Sequence, residues 1–447
     1  MRVLIIGGGQ VGYHLARRLS EESQDVVLID SDPDRIDYVA EQLDILTLLG
    51  NGASVPVLDE AGVRDAGMLL SVTSQDEVNL IACLAASRLG VPHTIARVSN
   101  PDYYASGSVL SSEHLGVDRL INPEREAAKE ALQLLRSAVA TDVVPFADGR
   151  VQLLGLRVRE GAPIAGKPLA RLAQDLEGFH YVTVAIVRDG ETIIPTGSSA
   201  MEAGDQIYLL SPSDEVESIP PLAGYDARPL KRVMIAGGSL EGQYLAEGLG
   251  ALGVECTIID RDRRRCLELA ELLPRALVLH GDATDLELLE MEGVAGVDGY
   301  VAATGDDQTN LLSSLLAKSV GNAKVIALIE RFEYLPLVPR VGIDAAISPR
   351  LSTVNAILRY VRRGRVLTVA SLTGTDAEAM EFKVRPDAKA VGRSIQELDI
   401  PHGVLIGVIL RGDRIVTPRG QDRFEPGDDV IVFGLRQALG AVERLFQ

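Results

Sequence analysis

"VLIIGGGQVGYHLARRL", Val3–Leu19, is an apolar run, a glycine-rich turn and an amphipathic stretch in direct succession. The run Val3–Ile6 is apolar without alternation, as a strand covered on both faces must be. Gly7, Gly9 and Gly12 follow with the spacing G-x-G-x-x-G and open a helix. In that setting the first glycine permits a tight turn, the second lets backbone approach a pyrophosphate, and the third lets helix pack on strand. The helix start offers unpaired N–H groups and the positive end of its dipole to phosphate. Asp30 closes the next strand, "DVVLID", where its carboxylate can accept from both hydroxyls of an adenosine ribose. The stretch therefore reads as a Rossmann-type nucleotide site. Gly7, Gly8, Gly9, Gln10, Val11 and Gly12 surround the phosphates, and Asp30 holds the ribose. A carboxylate there repels a 2′-phosphate, which favours NAD(H) over NADP(H). ATP and ADP carry the same diol and pyrophosphate, so they stay open as ligands.

The chain then writes this pattern a second time. "VMIAGGSLEGQYLAEGL", Val233–Leu249, lies 230 positions on. "DVVLIDSDPDRI" (Asp25–Ile36) matches "ECTIIDRDRRRC" (Glu255–Cys266), each strand ending in aspartate, Asp30 and Asp260. "LLSVTSQDEVNLIACLAA" (Leu69–Ala86) matches "YVAATGDDQTNLLSSLLA" (Tyr300–Ala317), setting Thr73, Asp76 and Asn79 on Thr304, Asp307 and Asn310. Strands alternating with helices at this spacing predict βαβ units and a parallel sheet. After each unit come shorter strands with turn signals, such as Asp189-Gly190 in "VAIVRDGETIIP" and its partner stretch "IGVILRGDRIVTP". The fold class expected is α/β, two Rossmann-type parallel-sheet domains each followed by a small α+β domain. The expected boundaries are 1–122 and 140–217 for the first pair, 218–230 for a proline-bearing linker, and 231–349 and 364–447 for the second pair.

Further candidates flank the first turn. Asn51, in "GNGAS" after the third strand, falls near the adenine edge. Thr73 and Ser74 end the fourth strand and face the crevice where phosphates sit. Ser74 and Glu77 are spaced as a capping box. Arg97 ends the fifth strand, and two readings stay open for it: a phosphate contact, or a pair with a surface carboxylate. In the second half Gly237, Gly238, Asp260, Gly281, Asp282 and Thr304 occupy the matching places. Gly9 is replaced there by Ser239, which adds a side chain where backbone must approach the ligand. Val11 is replaced by Glu241, whose carboxylate takes the place favoured by the dipole. Arg261, Arg263, Arg264 and Arg265 either attract extra phosphates or are solvated residues of a helix start. The expectation is a competent first site and a weaker, different or empty second one.

Bulk properties narrow the function. A formal charge of −19 disfavours nucleic acid and anionic lipid as general partners. Three cysteines without C-x-x-C argue against a disulfide framework or a zinc site, so no metal is expected. No apolar run approaches the roughly 20 residues that span a bilayer, and no signal-peptide pattern precedes the glycines, which leads to a cytoplasmic reading. None of His14, His93, His114, His180, His280 and His402 stands in a recognisable catalytic setting. Two nucleotide folds without an acid, base or nucleophile point to a sensor and not an enzyme. An NAD-dependent oxidoreductase and a nucleotide sensor with another target are the alternatives.

On "IIGGGQVGYHLA", Asp30, "LLGNGAS", "SVTSQDEVNLIACLAASRLG" and "IARVSNPDY", and on the tandem order, the chain resembles the tandem RCK (KTN) family of peripheral regulatory subunits of Trk-type potassium uptake systems. The resemblance covers essentially the whole chain. It implies a cytosolic gating ring, a tetramer of chains with eight RCK domains, docked under a potassium-translocating membrane subunit at the inner face of the membrane. It implies NAD(H), and ATP or ADP, in the Rossmann clefts, contacting Gly7 to Val11, Asp30, Thr73, Ser74 and Arg97. Binding would then shift the ring and control potassium flux.

Overall fold

The computed structural model describes residues 1–104, 114–136, 142–176, 180–225, 230–321, 323–361, 366–371, 377–401, 403–412 and 414–435, with 438, 442 and 444–446 beyond them. His402 and Asp413 lie outside the described residues. The first unit runs β1 (Arg2–Ile6), α1 (Gln10–Glu21), β2 (Asp25–Asp30), α2 (Pro33–Gln42), β3 (Leu46–Leu49), α3 (Val55–Glu60), β4 (Met68–Ser71), α4 (Asp76–Arg88), β5 (Thr94–Arg97), β6 (Arg119–Ile121) and α5 (Pro123–Arg136). Its six strands are parallel in the order β3-β2-β1-β4-β5-β6. The order reverses between β1 and β4, and a crevice opens there at the carboxyl ends of the strands. Helix α1 covers the sheet with Val11, Leu15, Ala16 and Leu19, the buried stripe its 3.6-residue period provides.

The first small domain holds β7 (Asp142–Phe146), β8 (Val151–Arg157), α6 (Leu169–Asp175), β9 (Val182–Arg188), β10 (Glu191–Ile193) and β11 (Gln206–Pro212). Its antiparallel sheet has the order β10-β9-β11-β8-β7. Asp189 and Gly190 both take positive φ, 53° and 83°, as a two-residue turn between β9 and β10 requires. Within 218–230, read above as a linker, Ile219, Leu222 and Ala223 are buried against this domain.

The second unit repeats the first: β12 (Arg232–Ala236), α7 (Leu240–Ala251), β13 (Glu255–Asp260), α8 (Arg263–Leu272), β14 (Ala276–His280), α9 (Leu286–Met291), β15 (Gly299–Ala302), α10 (Asp307–Val320), β16 (Lys324–Leu328), β17 (Ala345–Ile347) and α11 (Pro349–Val361). Its parallel sheet has the order β14-β13-β12-β15-β16-β17. The second small domain contributes β18 (Val366–Ser371), β19 (Ala377–Lys383), β20 (Val404–Arg411), β21 (Arg414–Val416) and β22 (Asp429–Leu435), antiparallel in the order β18-β19-β22-β20-β21. The two small sheets share one core, with Phe146, Tyr208 and Leu210 meeting Ala379, Ile431 and Phe433. Among the described residues no helix is long and apolar enough to cross a membrane.

The last helix of each Rossmann unit is buried in the other unit. Helix α5 inserts Ala127, Ala131, Leu134 and Leu135 into the core that holds Val233, Ile235, Leu245 and Leu249. Helix α11 places Val354, Ile357 and Leu358 against Val3, Val11 and Leu15. Each fully buried aliphatic side chain contributes about 1.5–3 kcal/mol, so this exchange is a principal tie between the halves. Polar contacts follow the same path: Ser352 donates to the half-buried Glu130 at 2.5 Å, and Arg359 reaches Glu126 at 3.2 Å.

At the far end of α5, Lys324 is buried and donates to the Leu134 carbonyl at 2.8 Å. Burial holds its ammonium down to about 8 from 10.5, against the attraction of Asp344 and Asp142. Unfolded, the lysine keeps its proton up to its ordinary value, whereas folded it releases it near pH 8. Between those values the unfolded chain binds more protons, so stability rises with pH across that window. Below about pH 8 the full penalty, on the order of 3 kcal/mol, is present. Urea unfolding of wild type and Lys324→Met should therefore show a stability difference that shifts toward wild type between pH 8 and 10.5. A difference flat in pH would contradict the buried charge.

Candidate functional site

The first turn is built from β1, α1 and the end of β2. Gly7 has φ +106°, a left-handed conformation, and its N–H donates to the Ile29 carbonyl at 2.8 Å. Gly12 lies against the turn so closely that a Cβ on it would stand 1.8 Å from the Gly7 carbonyl oxygen. Gly9 is the N-cap of α1 with extended backbone (φ −66°, ψ −175°), and no side chain caps the helix. The first N–H groups of α1 thus face the crevice without a side-chain acceptor, an arrangement suited to an anion. A Cβ at Gly9 would meet only the Arg35 guanidinium, at 3.8 Å, so the glycine is demanded neither by conformation nor by crowding within the protein.

Asp30 is 7% exposed at the end of β2. Its Oδ2 accepts from the Gly8 N–H at 2.5 Å and its Oδ1 from the Asp32 N–H at 2.9 Å. Arg35 stands 3.6 Å from the same carboxylate, over the glycine turn. Sequence reasoning missed Arg35, and the signal for it was its register with Arg265 in the repeat. Asn51 folds its own loop, its Oδ1 accepting from the Ala53 N–H at 2.9 Å. Ser74 is exposed at the crevice rim.

The opposite wall is held by Asn79, which is fully buried. Its Oδ1 accepts from the Thr73 N–H (2.9 Å), the Thr73 hydroxyl (2.8 Å) and the Ser71 hydroxyl (3.0 Å). Its Nδ2 donates to the carbonyls of Thr73 (3.0 Å) and Arg97 (2.8 Å). One side chain thereby ties the ends of β4 and β5 together, and Thr73 is fixed by that tie. The capping box expected from Ser74 and Glu77 does not form. Helix α4 begins one residue later, with Gln75 as N-cap, because the Thr73 hydroxyl takes the Gln75 N–H at 3.2 Å. Asp76 instead spans to the Ser99 and Asn100 N–H groups, and Glu77 accepts from the Tyr103 hydroxyl.

The second turn keeps this frame. Gly237 has φ +107° and donates to the Ile259 carbonyl, and the Gly238 N–H donates to Asp260 Oδ2 at 2.6 Å. Gly281 donates to the Asp260 carbonyl. Asn310 holds Thr304 and the Leu328 carbonyl as Asn79 does in the first unit. The phosphate surface differs. The Ser239 hydroxyl accepts from the Gly242 N–H at 3.3 Å, so the helix start is capped from within. Arg265 lies over the turn, its Nε donating to the Gly238 carbonyl at 2.6 Å and its Nη2 to Gln243 at 2.8 Å. Arg261 pairs with Asp282 at 2.8 Å. Burial alone would raise Asp282, but Arg261 and Thr284 override it and hold the carboxyl at about 2. Glu241, Asp307 and Glu330 line one shallow cleft with Ser239, a concentration of negative charge where a pyrophosphate would sit. Glu124 arrives from α5 of the first unit. Burial pushes its carboxyl up, and the charge of Glu241 adds to that against the pull of Ser99 and Arg97.

Comparisons with known proteins agree with the duplication. The TrkA-N domain family matches residues 3–123 and 233–349, and the TrkA-C domain family matches 153–223 and 379–447. The Trk system potassium uptake protein TrkA of Azorhizobium caulinodans is 36% identical over 452 residues, covering 100% of this chain and 99% of its own. The Trk system potassium uptake protein TrkA homolog 1 of Methanosarcina mazei is 37% identical over 456 residues, with 100% of both chains covered. Among solved structures, the RCK domain of GsuK superposes with a TM-score of 0.61 at 20% identity, over 100% of this chain and 94% of that one. The GsuK channel bound to NAD gives 0.63 at 20% identity, over 100% and 78%. At that identity the structures establish the fold.

Proposed function

The chain belongs to the TrkA family of Trk system potassium uptake proteins, a family of transport regulators and not of enzymes, and on that premise we propose that it senses nucleotide at its first turn. The ligand is NAD(H), or ATP or ADP, seated on the uncapped start of α1 with its ribose on Asp30. The single observation that carries this reading is that open helix start beside a buried, pre-ordered acid. Solved structures of the GsuK channel hold NAD in one case and ADP in another, on the same fold. Binding acts through unequal affinity for two conformations of the assembly. A ligand that moves α1 moves α11, whose Val354 and Ile357 pack on it, and so moves the second unit. The assembly is a ring of four chains, cytoplasmic and docked on a potassium-translocating membrane subunit, whose flux it controls. Asn51, Thr73, Ser74 and Arg97 border the first ligand. Gly237, Gly238, Asp260, Gly281, Asp282 and Thr304 frame a second crevice that Ser239, Arg265 and three carboxylates close to phosphate.

Calorimetric titration of the full chain with NADH, NAD, ATP and ADP tests this, with one site per chain expected. Gly9→Ser copies the second turn into the first. The backbone at Gly9 and Ser239 is nearly the same, φ −66° and −59°, so the variant should fold as wild type. It should bind nucleotide about tenfold more weakly, the worth of one charge-assisted hydrogen bond diverted to the serine. Equal binding by Gly9→Ser would show that the serine is not what disables the second turn.

A further inference from the structure

Helix α11 begins with an anomaly. Its second residue is Arg350, and no acid occupies its first turn. A cation there opposes the helix dipole, which favours carboxylates at that end. The matching helix α5 sets Glu124 and Glu126 on either side of Arg125 in its first turn. A local rule broken at a helix start beside a nucleotide turn marks a place to look for function.

Because α11 crosses to the first unit, Arg350 lies beside the first nucleotide turn. Its Nη1 donates to the side chain of Gln10, the first residue of α1, and its Nη2 to Glu330 at 2.8 Å. The guanidinium is about one-third exposed and the Glu330 carboxylate about half. Around the same helix end, Phe332 of the second unit packs on His14 with ring centroids 4.6 Å apart. The second unit thus packs Arg350 and Phe332 against the first turns of α1, at one end of the first crevice.

We infer that Arg350 is a specificity-determining residue of the first site, contributed by the second unit, which selects nucleotides bearing a free terminal phosphate over a dinucleotide. The inference rests on the nucleotide reading of the first turn. All candidate ligands share the pyrophosphate seat on α1. Beyond it ATP presents a further charged phosphate, ADP ends, and NAD(H) presents a nicotinamide riboside without negative charge. A guanidinium offers a phosphate two parallel donors. Glu330 is the competing acceptor, holding Arg350 when no terminal phosphate is there to take it.

The test is calorimetry on the full chain. Arg350→Gln should weaken ATP by at least about tenfold and ADP by less, while NADH changes by under about twofold. Retained NADH binding reports that the variant is folded. Arg350→Lys should recover part of the ATP affinity, since it keeps the charge and loses the fork. Glu330→Gln should tighten ATP several-fold in the presence of Arg350 and not in Arg350→Gln, the coupling a double-mutant cycle reads. Equal losses for ATP and NADH, or no loss for either, would overturn the role of Arg350. A wild-type chain that binds none of the three nucleotides would overturn the first-site reading itself.

Discussion

Asp30→Ala is expected to abolish nucleotide binding to the first unit, a loss of more than about a hundredfold in affinity. In the proposed site the carboxylate would supply both acceptors for the ribose, and charge-assisted hydrogen bonds of this kind are each worth about 1.5–3 kcal/mol. It also orders the turn from within, since the Gly8 and Asp32 N–H groups both donate to it. Alanine leaves those donors unpaired, so stability should fall by about 1–3 kcal/mol without loss of the fold. Asp260→Ala removes the same pair of contacts in the second unit. It should cost similar stability while leaving nucleotide titration unchanged. Comparing the two variants by calorimetry and urea unfolding separates binding from scaffolding. Undiminished binding by Asp30→Ala would reject the site.

Gly12→Ala is expected to be the most damaging single-methyl change in the first unit. Its Cβ would enter to 1.8 Å from the Gly7 carbonyl, a backbone atom fixed by the left-handed turn it belongs to. Relief requires α1 to lift from β1, opening the packing of Val11, Leu15 and Leu19. The expected loss is roughly 3 kcal/mol or more, at or above the upper end for overpacking. Gly242→Ala, at 2.3 Å from the Gly237 carbonyl, should behave alike. Urea unfolding checks both, and a midpoint equal to wild type would refute the close approach. The contrast with Gly9→Ser is informative, because glycines three residues apart in one motif serve different ends. Gly12 is needed by the fold, while Gly9, uncrowded by the protein, is the one the proposed ligand would need.

Much of this was legible in the sequence. The Val3–Leu19 pattern and its copy at Val233–Leu249 foretold both parallel sheets, and Asp189-Gly190 foretold its hairpin. The exchange of α5 and α11 was not legible. Their amphipathic pattern says that one face is buried and is silent on what buries it. The same limit hid Arg350: Glu330 is its neighbour within the second unit, but Gln10 is brought to it only by that exchange. Arg35 was hidden differently, since a long polar side chain near a helix start reads as solvated, and for Arg265 the same ambiguity left two readings open. The misread capping box at Ser74 turned on one hydrogen bond, the Thr73 hydroxyl claiming the Gln75 N–H, which spacing alone does not disclose.

The exchanged helices have one more consequence. In an assembly of two identical copies, the residue closing one crevice and the residue closing the other are the same residue, written once. Whatever charge suits the first mouth is forced on the second. Joining the copies in one continuous chain lifts that constraint: position 350 holds a guanidinium and position 124, its counterpart, a carboxylate. Arg350 donates to Gln10 of the first unit, and Glu124 feels the charge of Glu241 in the second. One chain carrying both copies thus keeps a twofold architecture while the charge at its two equivalent helix starts differs in sign.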